Sequence, residues 1–169
     1  MTAPPDPVSL VRAAEPDDAE AIALCQARCW QESYTHLLSP GFLTGLDAQL
    51  EQRTQMWRDA MVCGRRRPSV AGVGGRVVGM CAAVDHGADD GHPRRWQLRI
   101  LYLRQAHQGT GLGQELLDAQ LADHPAYLWV AENNPRTRAF YDRNRFRPDG
   151  EVAAEAEWEN LAEIRMVRD

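Results

Sequence analysis

Between His107 and Leu117 the chain reads HQGTGLGQELL, with glycine at 109, 111 and 113. The apolar run ILYL precedes this stretch and an amphipathic run follows it. Glycine reaches positive φ and carries no β-carbon, so a strand-to-helix turn built from three of them leaves backbone that another group can touch. The first N–H groups of the helix beyond have no intrahelical partner, and with the helix dipole they form a site for an anion. Each such interaction contributes about 0.3–1 kcal/mol when exposed and up to about 2 kcal/mol when partly buried. Several acting together on a pyrophosphate could anchor a cofactor.

Two phosphate-binding patterns do not fit. A P-loop requires G-x-x-x-x-G-K-[ST], and all nineteen basic residues here are arginine. The dinucleotide fingerprint requires G-x-G-x-x-G, but Gln114 stands at its last position and the flanking pattern is not a βαβ repeat. The absence of lysine also excludes a lysine nucleophile. A net charge of −5 argues against nucleic acid, whose affinity rests on phosphate neutralisation. None of Cys25, Cys29, Cys63 and Cys81 forms a C-x-x-C, and no histidines stand at zinc-ligand spacing, so no metal site is expected. Cys25 and Cys29 would share a helix face as small core residues in a reducing compartment.

One domain spanning 1–169 is expected, with 1–7 a flexible lead-in. No apolar run approaches the roughly 20 residues that cross a bilayer, and MTAPPDPVSL lacks the pattern of a secretory signal. A cytoplasmic protein that contacts neither membrane nor nucleic acid follows as the expectation. VSLVRAA reads as a first strand and EPDDAEAIALCQARCWQESY as a helix, with Ile22, Cys25, Cys29 and Trp30 on one face. LSPGFLTGL breaks the helical pattern, and LDAQLEQRTQMWRDAMVC restores it with Leu46, Leu50, Met56 and Met61 as anchors. SVAGV and RVVGMCAAV flank Gly74-Gly75, a hairpin signal. DHGADDGHPRR is a polar loop with nothing to bury. In WQLRILYL, alternation places Leu98, Ile100 and Tyr102 on one face and Arg99, Leu101 and Leu103 on the other. After the glycine turn come the helix GQELLDAQLA, the strand AYLWV, the helix NPRTRAFYDRN and a closing strand EIRMVR. Asn134 suits the N-cap of that last helix and Pro135 its first position. The order β-α-α-β-β-β-α-β-α-β makes an α/β (α+β) fold with a mixed sheet.

Gln108-x-x-Gly111-x-Gly113, after a strand and before an amphipathic helix, resembles the Q/R-x-x-G-x-G/A motif of the GNAT superfamily of N-acetyltransferases. AYLWVAENNPRTRAFYDRNRF is similar to that family's second signature, and the order of elements matches it over essentially the whole chain. WQESY, from Trp30 to Tyr34, with LLSP after it, resembles a recurrent bacterial subgroup. The resemblance implies a mostly antiparallel sheet flanked by helices and acetyl-CoA as co-substrate. It also implies transfer of the acetyl group to a primary amine of a small molecule or peptide N-terminus, and a homodimer as the frequent assembly.

By the same resemblance, the backbone of Leu101, Tyr102 and Leu103 would pair with the pantetheine arm. Gln108, Gly109, Thr110, Gly111, Leu112, Gly113 and Gln114 would hold the pyrophosphate. Tyr141 matches the tyrosine that protonates the departing thiolate, and Asn134 a cofactor-contacting asparagine. Each also has a plain structural reading: core packing beside Phe140 for Tyr141, an N-cap for Asn134. Glu32 and Asp85 are candidate bases, a water chain that deprotonates the amine being the alternative, and Trp30, Tyr34 and Asp85 are candidates for the substrate side. Asp89 and Asp90 could attract a cationic amine. Two positions depart from the family pattern. Arg145 stands where a glycine usually precedes Phe146, so the turn there must differ or be strained. Trp129 occupies the strand position where one branch keeps a glutamate base, and Gln97 is no acid, which leaves the base unassigned. The alternatives are a non-catalytic acyl-CoA-binding protein of the same fold, O-acyl or longer-chain transfer, and an unrelated nucleotide-binding module.

Overall fold

A computed structural model describes residues 9–87 and 91–169. The lead-in at 1–7 and the loop acids Asp89 and Asp90 lie outside the described residues. Seven strands form one sheet: β1 (Ser9–Ala13), β2 (Ser69–Val73), β3 (Arg76–Asp85), β4 (Trp96–Leu103), β5 (Ala126–Ala131), β6 (Arg147–Glu155) and β7 (Leu161–Arg168). Their spatial order is β1-β2-β3-β4-β5-β7-β6. All neighbours pair antiparallel except β4 and β5, so the sheet is mixed and mostly antiparallel. Gly74 and Gly75 both take positive φ, 56° and 78°, and close the β2–β3 hairpin in the conformation that their lack of a β-carbon permits.

Five helices flank the sheet: α1 (Ala19–Ser33), α2 (Pro40–Ala48), α3 (Leu50–Val62), α4 (Leu112–Leu121) and α5 (Pro135–Arg143). The first three cover one face, where Ile22, Trp57, Val70 and Met80 form one buried cluster and Trp30, Leu43 and Leu46 another. α4 and α5 cover the opposite face, with Leu116, Leu117, Leu121, Tyr141 and Phe146 in the largest cluster. No helix among the described residues is long and apolar enough to cross a membrane.

Four expectations change. LSPGFLTGL is not a break but forms most of α2: Ser39 caps it by accepting from the Phe42 amide at 3.1 Å, and Pro40 fits its first turn. The following helix starts at Leu50, leaving Leu46 on α2; Trp57 is its buried anchor, while Met56 is exposed. Indole area outweighs the spacing that favoured methionine. RPDGEVAAE forms an added strand, β6, which has no apolar alternation because it is an outer strand exposed along nearly its whole length. The loop after β3 is not free of packing: the half-buried His86 and the exposed His92 stack 3.7 Å apart, and both contact the Tyr127 hydroxyl.

The faces of β4 also differ from simple alternation. Pairing with β3 steps from Ala82↔Ile100 to Ala83↔Leu98, which leaves Arg99 as an extra residue on β4. A bulge of this kind resets the side-chain period. Leu98 accordingly joins Leu101 and Leu103 on the α4 face, while Ile100 and Tyr102 pack under α1.

Arg145 carries the strain that its sequence position implies, with φ at 68° in the left-handed region. That conformation costs a side-chain-bearing residue roughly 1–2 kcal/mol. Its exposed ion pair with Asp123, at 2.6 Å, returns less than about 1 kcal/mol. Arg145→Gly should therefore leave stability unchanged or raise it by up to about 1 kcal/mol in urea unfolding, while Arg145→Val should lower it by roughly 1–2 kcal/mol.

Candidate active site

β4 and β5 pair over only three positions, Trp96↔Ala126 to Leu98↔Leu128. β4 stays with β3 as far as Leu103, and β5 stays with β7 as far as Ala131. From Arg99 onward the two halves of the sheet part. The edge of β4 that turns away from β3 then has no strand partner.

A cleft of about 600 Å³ opens on one side of this notch. Its walls include Leu101 and Leu103 of β4, the turn residues Gln108, Gly109, Gly111, Gly113 and Gln114, and Asn134, Phe140 and Tyr141 from the start and body of α5. Arg136, Arg143 and His36 also line it. A smaller cleft of about 110 Å³ lies on the other side, walled by Tyr34, Tyr102, Trp129, Trp158, Arg99 and Glu163. Ser33, Leu101, Leu103, Gln108, Asn134, Thr137 and Tyr141 line both, so the two spaces meet through the notch.

The glycine turn is built as its spacing suggests. Gly109 and Gly111 take φ of 85° and 97°, and Gly111 caps α4 with no side-chain acceptor. A β-carbon on either would meet nothing within 4 Å, so the space in front of the turn is open. The Gln114 and Glu115 amides already donate to the Gly111 carbonyl at 2.9 and 3.1 Å, which leaves the amides of Leu112 and Gly113, at the cleft-lining end of α4, without an intrahelical acceptor. Gln108 fixes the turn to the strand by donating to the Leu103 carbonyl at 3.1 Å. Thr110 is spent locally, its hydroxyl donating to the His107 carbonyl at 2.7 Å. Leu112 is buried in the core and contributes only backbone. Arginines on α5 and the α4 N-terminus make this cleft an electropositive place in an acidic chain.

Tyr141 is 6% exposed, its ring held edge-on between Phe140 and Phe146 at 5.5 and 5.8 Å. Its hydroxyl makes no hydrogen bond to any described residue, although the residue borders both clefts. Burial pushes its pKa well up, with Cys81 and Tyr34 adding to the effect, so the phenol stays protonated at neutral pH. Asn134 caps α5 by accepting from the Thr137 amide at 3.2 Å while facing both clefts.

Glu32 is a brace for the turn. Its carboxylate accepts from Arg104 Nε and from the Gln105 amide, both at 2.7 Å. Burial works to raise its pKa, but these hydrogen bonds outweigh it and hold the group ionised below the usual carboxylate range. A carboxylate so engaged has little basicity to offer. Trp30 is 3% exposed and lines neither cleft; it stacks behind Tyr34, which does line the smaller one. Asp85 lies at the far end of β3, paired to Arg95 at 2.6 Å, and borders neither cleft. Gln97 is buried against the Tyr127 hydroxyl at 3.0 Å.

Glu163, with Arg99 and Trp158, is what sequence reasoning missed. Strand alternation in LAEIRMVR does set Glu163 on the face opposite Ile164 and Met166. Only the sheet order brings that face to the notch, with Glu163 directly across from Ala131 of β5.

Among the described residues, no group of three or more histidine, cysteine or acidic side chains is placed to hold a metal. Comparison with known proteins agrees with the geometry. A probable N-acetyltransferase of Mycobacterium tuberculosis is 30% identical over 159 residues, covering 92% of this chain and 88% of the relative. The PaiA N-acetyltransferase of Thermoplasma acidophilum, solved in complex with coenzyme A, superposes with a TM-score of 0.72 at 14% identity, covering 96% of this chain and 99% of that one. An acetyltransferase from Thermus thermophilus superposes with a TM-score of 0.61 at 25% identity, over 95% and 96% of the two chains. Residues 20–146, which hold the glycine turn, the parted strands and Tyr141, match the acetyltransferase (GNAT) family model, and the chain belongs to that family.

Proposed function

We propose that the chain is an N-acetyltransferase that moves the acetyl group of acetyl-CoA to a primary amine, by direct attack of the amine on the thioester. The observation that carries this reading is the passage through the notch. An electropositive cleft and a smaller aromatic one meet at a buried tyrosine whose hydroxyl has no partner among the described residues. The larger cleft suits the cofactor: amides from Gly109 to Gly113 face the pyrophosphate, and Arg136 and Arg143 add positive charge to that wall. Acetyl-CoA supplies, when bound, an acyl carbon made electrophilic by its thioester. The unpaired edge at Leu101–Leu103 holds the extended arm as an added strand would, and an amide of that edge polarises the acyl oxygen.

Tyr141 donates its proton to the leaving sulfur. A phenol titrates near about 10 and a free thiol near about 8.5, so in water the transfer runs uphill. The burial that raises the phenol's pKa also raises that of a thiolate expelled beside it, which offsets much of the mismatch. Glu32 acts at one remove, keeping Arg104 and the start of the turn in place. The whole chain would work as one acetyltransferase domain.

Calorimetry with CoA and a thiol-release assay against a panel of amines test this reading together. Tyr141→Phe should lower kcat at least about tenfold while CoA affinity changes little. Unchanged turnover would remove Tyr141 from the chemistry. Gly113→Leu places bulk in front of the α4 amides at an ordinary φ, where a β-carbon meets only Phe140 and Leu103 at 3.7 and 3.8 Å. It should weaken CoA binding about tenfold or more with a near-native melting temperature, and unchanged affinity would refute the cradle.

A further inference from the structure

The smaller cleft contains a group that neither the family match nor the motifs assign. Glu163 is the one carboxylate among the described residues that line it, and Tyr141 lies on the same lining. Unlike Glu32 or Asp85, its side chain makes no hydrogen bond or ion pair with any described residue. The neighbouring walls are Tyr34 and Trp158, aromatic surfaces of the kind that attract a cation, together with Arg99 and Trp129, whose ring already carries the Arg165 guanidinium at 5.7 Å. A half-buried carboxylate with free lone pairs, in a space of about 110 Å³ that joins the thioester side, is placed to receive a small ammonium group.

We propose that Glu163 is the catalytic base on the acceptor side, taking a proton from the ammonium of a small primary amine that enters the smaller cleft as a cation. This inference rests on the acetyl-transfer reading above. Glu163 removes one ammonium proton, and the freed lone pair forms the bond to the acyl carbon. The carbon–sulfur bond breaks with its electron pair on sulfur, which Tyr141 protonates. The second nitrogen proton, lost as the amide forms, restores Tyr141 through solvent. Glu163 then sheds its own proton to water, so one proton is released per turnover.

The electrostatic setting matches this task. Burial raises the Glu163 pKa, Glu155 on β6 raises it further and Arg99 on β4 lowers it, leaving it pushed up to about 7. Tyr34 at the end of α1 feels the same carboxylate: burial first and Glu163 second push its phenol up to about 12, so it stays neutral beside the base. Arg165, two residues along β7, is occupied by Asp149 at 2.7 Å. A base of this strength is about half ionised at pH 7 and basic enough to hold a proton in transit. The sign follows: protonated Glu163 cannot accept, so kcat/KM should rise with pH through about 7.

The experiment measures kcat/KM against pH from 5.5 to 10 for an active amine from the panel, in the wild type, Glu163→Gln and Glu163→Asp, with CoA affinity read by calorimetry. The wild type should show the rising limb near 7. Glu163→Gln should lose that limb, fall about 100-fold or more at pH 7, and recover toward the wild type near pH 10 as free amine accumulates, with CoA affinity unchanged. Glu163→Asp should retain a limb at reduced rate. A wild-type profile that is flat between pH 6 and 8 overturns the proposal without any variant, and so does a Glu163→Gln enzyme within about threefold of wild type at pH 7. A wild type that binds CoA but acetylates no amine in the panel sinks the transferase reading itself, an outcome distinct from either.

Discussion

The structure depends on the point where β4 and β5 stop pairing. Three residue pairs hold the two halves of the sheet together, and beyond them each strand keeps only its outer neighbour. Backbone N–H and C=O groups inside a protein need partners, so an unpaired strand edge is a standing demand for one. Here the edge opens on a cleft. An extended ligand that paired with it would meet that demand. The bulge at Arg99 belongs to the same device: it resets the side-chain alternation where the strands diverge, aiming Leu101 and Leu103 at one side and Tyr102 at the other.

Charge is divided across that gap. The larger cleft combines the N-terminus of α4 with arginines of α5, an arrangement that favours an anion. The smaller cleft combines aromatic walls with one carboxylate, Glu163, and one guanidinium, Arg99. Tyr141 borders both, neutral because it is buried, and its hydroxyl has no hydrogen-bond partner among the described residues. Carboxylates acquire different roles from their surroundings. Glu32, tied by an arginine and an amide, becomes a strut; Glu163, half-buried and untied, becomes basic.

Where the sequence misled, packing had overruled a local pattern. Met56 has helical spacing, but the indole of Trp57 fills the space under α1 and turns Met56 outward. β6 carries no alternating apolar residues because both of its faces are exposed, and its pairing with β7 supplies the stability instead. Arg145 shows the opposite case: the departure from glycine was visible in the sequence, and the chain still takes the left-handed turn, because the core position of Phe146 fixes the path of the backbone.

The sequence by itself determined what neighbouring residues control. The Gly74-Gly75 hairpin, the left-handed glycines before α4, the Asn134-Pro135 start of α5 and the order of most strands and helices all follow from dihedral preference and periodicity within a few positions. Only the tertiary structure decided which carboxylate lines the smaller cleft with Tyr141. Glu32 and Asp85 were as plausible from their segments as any other acid, and Glu163 drew no notice in a closing strand. Solvation and hydrogen-bond partners set the basicity of a side chain, and those come from residues far apart in the chain that meet when β7 inserts between β5 and β6.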